Sequence, residues 1–306
     1  MTTKAARELP KEEYLFPGTR SCAACGLMLT YRHALKALDP GKTIVTVPAS
    51  CMTVLHGVYP ITPAQVICIN SPFAATGAFA SGITAGLRAT GRDGFTVLGF
   101  AGDGGTYDIG IQALSGAFER GTDFIYVCYD NEGYMNTGTQ RSSASPAGIT
   151  TSTTPILTKL QQKKNMIGIV EAHSVPYIAT ASPAFPLDLY DKMRTAKQRK
   201  GSRYVEVHAP CPPGWGFPNK DLVRIGKLAV DCGIHVLFEI EEGRLRLTGR
   251  SLKLADKGRP KTVADYVRPQ TRFGKISDEQ LQRLQEFTDH RWNELLARHE
   301  RTGDTR

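Results

Sequence analysis

Apolar and polar positions along this chain fall into blocks whose period switches between that of a helix and that of a strand. From Cys25 the run LMLTYRHALKAL has apolar residues at helical spacing and stops at Asp39-Pro40-Gly41, and TIVTV then reads as a buried strand. PASCMTVLHGVYP reads as a turn-rich loop, VICIN as a short strand, and residues 73–90 as a helix rich in Gly, Ala and Ser. Next come strand FTVLGF, glycine turn AGDGG, helix TYDIGIQALSGAFERG, strand DFIYVCYD and polar loop NEGYMNTGTQRSS. Two apolar runs joined by a helix make a βαβ unit, whose parallel strands bring both following loops to one edge of the sheet. Asp103 and Asn131 are therefore expected to meet.

Residues 139–155 form a Ser/Thr/Pro/Gly segment too long for an ordinary connection, and such loops are usually functional or lie on a partner. The alternation resumes with MIGIVEAH, strand YIATA, a helix over 187–198, strand RYVEVHAP, helix DLVRIGKLAVDCG, and a hairpin of HVLFEIEEG with RLRLTG. Residues 251–274, rich in Lys, Arg and Pro, read as an extended excursion, and the chain closes on an amphipathic helix begun by Ser277-Asp278-Glu279. The fold class is α/β, a mainly parallel sheet with helices on both faces. Residues 1–20 are expected to be an N-terminal arm, 21–250 the main domain with its cysteine loops, and 251–306 a C-terminal extension and helix.

The two strand tips carry distinctive chemistry. In Gly102-Asp103-Gly104-Gly105 the glycines let backbone approach a ligand, and the amides opening the helix at Thr106 favour an anion. Asp103 and the amide oxygen of Asn131 are hard oxygen ligands suited to Mg²⁺. A magnesium-bridged diphosphate fits all of these, although alone Gly-Asp-Gly is a common turn and Asp-Asn a common strand ending.

Composition narrows the surroundings. At 306 residues and 41% hydrophobic content the chain can bury a sizeable core, and no apolar run spans a bilayer, so no membrane role and a cytoplasmic location are expected. The charge of +9 comes from scattered residues with no nucleic-acid module, so nucleic acid is not an expected partner. Seven cysteines without a secretion signal point to metal or buried thiols. Cys68 and Cys128 sit in apolar strands and Cys232 closes a helix, all places for packing. Cys22 and Cys25 (Cys-Ala-Ala-Cys-Gly), Cys51 (Pro-Ala-Ser-Cys) and Cys211 (Cys-Pro-Pro-Gly-Trp) lie in loops, a set whose spacing fits zinc and a [4Fe–4S] cluster equally. His56, His208, Glu171 and Glu206 receive no role.

GDGGTYDIGIQALSGAFERG followed by YDNEGYMNTGTQRSSASP resembles the thiamine-diphosphate-binding beta subunit of the 2-oxoacid:ferredoxin oxidoreductases, the family that includes pyruvate:ferredoxin oxidoreductase. The likeness runs from about Gly18 to the final helix. It implies a thiamine-diphosphate-binding fold, Mg²⁺ held by the side chains of Asp103 and Asn131 and the carbonyl of Gly133, and Asn136 beside the thiazolium as a catalytic group. It also implies that Cys22, Cys25, Cys51 and Cys211 hold a [4Fe–4S] cluster, which tips the choice away from zinc.

The implied activity is oxidative decarboxylation of a 2-oxoacid to an acyl-CoA and CO₂, with coenzyme A as co-substrate and electrons passed to a ferredoxin-type acceptor. The glutamate that acts on the aminopyrimidine has no candidate here, and the family supplies it from an alpha-type subunit. Gamma-type and ferredoxin-like delta-type subunits are the other implied partners. Residues 57–77 depart from the pattern of pyruvate enzymes, so pyruvate is joined as a candidate by branched-chain and aromatic 2-oxoacids such as phenylglyoxylate. A non-redox thiamine-dependent lyase would use Asp103 and Asn131 but not four loop thiols, and a zinc-stabilised binding module would use the thiols but not the strand tips.

Overall fold

The computed structural model describes residues 9–57, 60–92 and 94–303. Strands β1 (Thr43–Pro48), β2 (Ile67–Ser71), β3 (Thr96–Gly102), β4 (Phe124–Asp130), β5 (Tyr177–Ala181), β6 (Ser202–His208), β7 (Phe238–Glu241) and β8 (Arg244–Leu247) form one sheet in the order β2-β1-β3-β4-β6-β5-β7-β8. The first six in that order pair parallel, and β7 and β8 add an antiparallel hairpin at the edge. A parallel sheet must be covered on both faces, and β4 shows how: all seven of its residues are buried. Phe124, Tyr126 and Cys128 face one core and Ile125, Val127 and Tyr129 the other.

The helices divide accordingly. On the second core lie α1 (Gly26–Leu35), α2 (Cys51–His56) and, later in the chain, a helix at Pro186–Gln198. On the first lie α3 (Thr76–Ala89), α4 (Ile111–Glu119) and α5 (Met166–Glu171), with the helix at Pro186–Gln198 becoming α6. A third apolar group joins α7 (Pro212–Trp215), α8 (Leu222–Asp231) and α10 (Val263–Val267), with α9 (Gly249–Lys257) against α8. The final helix α11 (Asp278–Gly303) crosses β8 and inserts Trp292 into the first core. Burying each such large apolar side chain contributes roughly 1.5–3 kcal/mol. No helix among the described residues is long and apolar enough to cross a membrane.

Three local expectations change. The stretch read as a loop around Cys51 contains α2, because the Ser50 hydroxyl accepts from Met52 N–H and caps it. Residues 251–274 are two helices and a tight turn rather than an extended excursion, since Leu254, Val263, Tyr266 and Val267 supply a buried stripe among the basic residues. The helical turn after β3 starts at Gly104 instead of Thr106, runs wide to Asp108, and becomes regular only at Ile111.

Residues 1–8 of the expected arm lie outside the described residues. From Pro10 onward the arm is tied to α1: Arg32 donates twice to the Glu13 carboxylate at 2.7 Å, and Lys36 Nζ reaches the carbonyls of Pro10 and Glu12 at 2.8 and 2.6 Å. The Arg32 hydrogen bonds, aided by Lys36, bring Glu13 down to about 2 from 4.5. Its contribution is thus present above about 4.5 and lost as pH falls towards 2. The pair is part-exposed, so Glu13→Gln is expected to cost no more than about 1 kcal/mol at pH 7. In denaturant titrations the deficit should shrink as pH falls from about 4.5 to about 2.

Candidate functional site

β3 and β4 are adjacent and parallel, with Gly102 opposite Tyr129, so the turn after Gly102 and the loop after Asp130 emerge side by side. The loops are buttoned together. Tyr134 lies against Gly104 so closely that a methyl group on Gly104 would overlap its ring, and its hydroxyl donates to Asp108 Oδ2 at 2.8 Å. The space left by a missing side chain at Gly102 likewise faces the Tyr129 ring. Side chains at Gly102 and Gly104 would thus collide with Tyr129 and Tyr134, so the missing side chains also serve contact within the chain.

Three oxygen functions converge at the junction. The Asn131 amide lies 2.9 Å from Asp103 Oδ1 and 3.0 Å from the Gly133 carbonyl oxygen. With its nitrogen inward the amide donates to both; with its oxygen inward and Asp103 ionised, three acceptors face one another without a proton between them. The second arrangement is one that a hard cation stabilises, and carboxylate, amide and carbonyl oxygens are the donor set Mg²⁺ takes. Asp103 is wholly buried, and its other oxygen accepts from Ser142 Oγ at 2.5 Å. Burial, then the nearby Asp130, pushes its carboxyl well above the usual range, while Ser142 pulls it down. The first-turn amides of the wide turn from Gly104 open beside it, with no intrahelical acceptors.

The Asn131 loop is held from behind. Trp215 Nε1–H donates to the Asn131 carbonyl at 2.7 Å, which leaves the Asn131 side chain to face Asp103. Glu132, in the left-handed region at φ 63°, is paired with Arg272 at 2.6 Å, and that guanidinium lies 3.9 Å from the centre of the Trp215 ring. Trp215→Phe keeps the packing but leaves that buried carbonyl unpaired, a loss of about 1–3 kcal/mol. Denaturant unfolding should show that loss, and equilibrium dialysis should show thiamine diphosphate bound about tenfold more weakly. Asn136 is exposed at the tip of the hairpin closed by Tyr134 and Gln140.

The cysteines separate into two groups. Burial, then Cys211, Cys25 and Cys22, pushes the Cys51 thiol up to about 12. Burial again comes first for Cys211, at about 11, with Cys25 and Cys22 adding to it. Cys22, Cys25, Cys51 and Cys211 thus lie within electrostatic reach of one another. The Cys22–Cys25 loop is set beside Cys211 because Gly26 touches the Pro210 backbone, where any side chain would collide. Cys128 and Cys232 are fully buried in separate cores, and Cys68 lies 3.9 Å from His56. Among the described residues, no three His, Cys, Asp or Glu side chains are grouped as ligands of one ion. Four loop thiolates are nonetheless the donor set of a [4Fe–4S] cluster, which is larger than one ion.

A family model described as "Thiamine pyrophosphate enzyme, C-terminal TPP binding domain" matches residues 49–207. The chain is 45% identical over 293 residues to "Pyruvate synthase subunit PorB" of Methanothermobacter thermautotrophicus, covering 94% of this chain and 99% of the relative. It is 42% identical over 296 residues to "Ketoisovalerate oxidoreductase subunit VorB" of Pyrococcus horikoshii, covering 94% of each. The chain belongs to the beta subunits of the 2-oxoacid:ferredoxin oxidoreductases.

This beta subunit also shares its fold with a solved 2-oxoglutarate:ferredoxin oxidoreductase from Magnetococcus marinus, at TM-score 0.58 and 21% identity over 69% of this chain and 72% of that one. Within the beta subunit the thiamine match contains Asp103, Asn131, Gly133 and Asn136, whereas Cys22, Cys25 and Cys211 lie outside it.

Sequence reasoning missed the supports. Ser142 lies in the quoted loop motif, but nothing in its spacing pairs it with Asp103. Trp215 and Arg272 reach the site from 84 and 140 residues beyond the residues they hold, Asn131 and Glu132. The two unassigned histidines are packed inside: burial lowers His56 to about 4, and His208 lies between Trp215 and His235. Glu206 is taken by Tyr107 at 2.5 Å and Glu171 by Arg298 at 3.1 Å.

Proposed function

We propose that this chain is the thiamine-diphosphate- and [4Fe–4S]-binding beta subunit of a complex that oxidatively decarboxylates a 2-oxoacid to an acyl-CoA and CO₂, reducing a ferredoxin-type acceptor. The observation that carries this reading is the convergence of Asp103, Asn131 and Gly133 oxygens inside the stretch that matches thiamine enzymes. Asp103 and Asn131 through side chains and Gly133 through its carbonyl hold Mg²⁺, and Gly102, Gly104 and Gly105 frame the turn whose amides take the diphosphate. Thiamine diphosphate supplies the electron sink for decarboxylation, and the cluster accepts electrons singly. Asn136 directs its amide toward the charge that develops at the reacting carbon. Cys22, Cys25, Cys51 and Cys211 hold the cluster.

The complex is cytoplasmic. Its alpha-type subunit brings the glutamate that acts on the aminopyrimidine, and gamma-type and ferredoxin-like delta-type subunits complete it. The substrate is pyruvate, an aromatic 2-oxoacid such as phenylglyoxylate, or a branched-chain one. Part of the unusual 57–77 stretch does reach the site: Phe73 packs 5.9 Å from the Tyr134 ring and touches Gly105. Purification with the natural partners, followed by coenzyme A-dependent ferredoxin reduction on a panel of 2-oxoacids, tests the proposal. Turnover with thiamine bound and with iron beyond what the ferredoxin-like subunit carries supports it; an active preparation without iron, or one that never retains thiamine, overturns it.

A further inference from the structure

Among the described residues, the three most exposed large apolar side chains lie within five positions of each other: Ile156 at 82%, Leu157 at 75% and Leu160 at 70%. They project from a strap that is anything but loose. Its inner side is fastened by Gly148 N–H to the Lys159 carbonyl at 2.8 Å, Lys159 N–H to the Ile149 carbonyl at 2.9 Å, and Thr150 N–H to the Arg272 carbonyl at 2.9 Å. Lys159 is buried, with its ammonium donating to the Ser145 carbonyl. From the outer side, Lys275 donates to the Pro155 carbonyl at 2.9 Å and Gln280 to Thr158 at 2.6 Å. A rigid segment that holds three aliphatic groups in water is costly in an isolated chain and is the usual mark of an interface.

The strap is continuous with the cofactor site. Its beginning carries Ser142, on Asp103, and Ser145, whose hydroxyl donates to the Glu132 carbonyl at 2.8 Å. Further on, Ser152 N–H donates to the Thr139 carbonyl at 3.1 Å, beside the hairpin with Asn136 at its exposed tip. Glu132 and Glu206, the glutamates behind this site, are already occupied by Arg272 and by Tyr107 with Lys163. With both engaged, the site is open to the carboxylate that the proposed function brings on the alpha-type subunit, across the exposed hairpin.

We propose that Ile156, Leu157 and Leu160 are the docking surface for the alpha-type subunit that brings that carboxylate. The proposal rests on the thiamine reading given above. Exposed Arg141 and Lys275 border the patch, so the matching surface on the partner is an apolar hollow with an acidic rim. A second copy of this chain would instead set the same basic rim, on a chain of net charge +9, against itself.

The test uses the co-expressed complex. Ile156→Glu/Leu157→Glu/Leu160→Glu is expected to weaken association of alpha and beta subunits at least a hundredfold in sedimentation and native mass spectrometry, with thiamine lost in parallel. Leu252→Glu, on the exposed face of α9, should change neither. A photo-crosslinking residue at Leu157 in the otherwise native complex is expected to label the alpha-type subunit. Assembly of the triple variant at wild-type affinity, or a crosslink to a second beta chain, overturns the docking proposal. A wild-type complex that crosslinks as expected yet neither binds thiamine nor oxidises 2-oxoacids would leave the docking surface standing and refute the functional reading instead.

Discussion

Asp103→Ala is expected to weaken thiamine diphosphate binding by at least a hundredfold and to abolish detectable turnover, while the cluster's absorbance is kept. The carboxylate is the one charged member of the oxygen triad, it lies fully buried, and the nearby Asp130 carboxylate is taken by Lys163. Losing a charged ligand from a site of three protein donors removes most of its hold on a divalent ion, and the diphosphate depends on that ion. Cys211→Ser should give the converse: cluster absorbance lost and thiamine retained. Equilibrium dialysis with thiamine diphosphate and Mg²⁺, together with visible spectra of the same preparations, separates the two outcomes. Loss of both cofactors in each variant, with the fold intact by circular dichroism, would mean that the two centres are one cooperative unit.

Arg272→Met is expected to be the most destabilising single change in the candidate site's support. It strands the Glu132 carboxylate in a site where both side chains are at most 5% exposed. Breaking such a pair from one side costs about 3–5 kcal/mol, or roughly 6–10 °C in melting temperature at this chain length. The contact is close but not aligned as a hydrogen bond, which places the effect toward the lower end. Because Glu132 holds a left-handed backbone between Asn131 and Gly133, the loop should relax and thiamine affinity should fall as well. Adding Glu132→Gln removes the stranded charge and should restore at least half of the lost stability. If Arg272→Met melts within 2 °C of wild type, roughly the shift of a 1 kcal/mol change, the pair carries little of the loop's stability.

What could be read from residues alone follows how local the physics is. The β3–α4–β4 unit was legible because two apolar strands and a glycine turn lie within about forty residues, and parallel pairing forces their tips together. The choice of loop cysteines over strand and helix cysteines also rested on local context, and the four thiols do lie within reach of one another. α2 escaped because six residues carry too little periodicity, and its start depends on the single Ser50 cap. α9 escaped because Arg250, Lys253 and Lys257 hid the apolar residues beneath, and α10 because five residues carry too little periodicity. The reach of Trp215 to Asn131 and of Arg272 to Glu132 depends on how distant segments stack, for which one sequence carries no signal.

The most direct measurement is a high-resolution map of the complex assembled with thiamine diphosphate and Mg²⁺. The account predicts a metal ion between the β3 and β4 tips, at about 2.1 Å from Asp103 Oδ1, the Asn131 amide oxygen and the Gly133 carbonyl. A map in which thiamine diphosphate binds elsewhere, while the Asn131 amide nitrogen donates to Asp103 and Gly133, would contradict it.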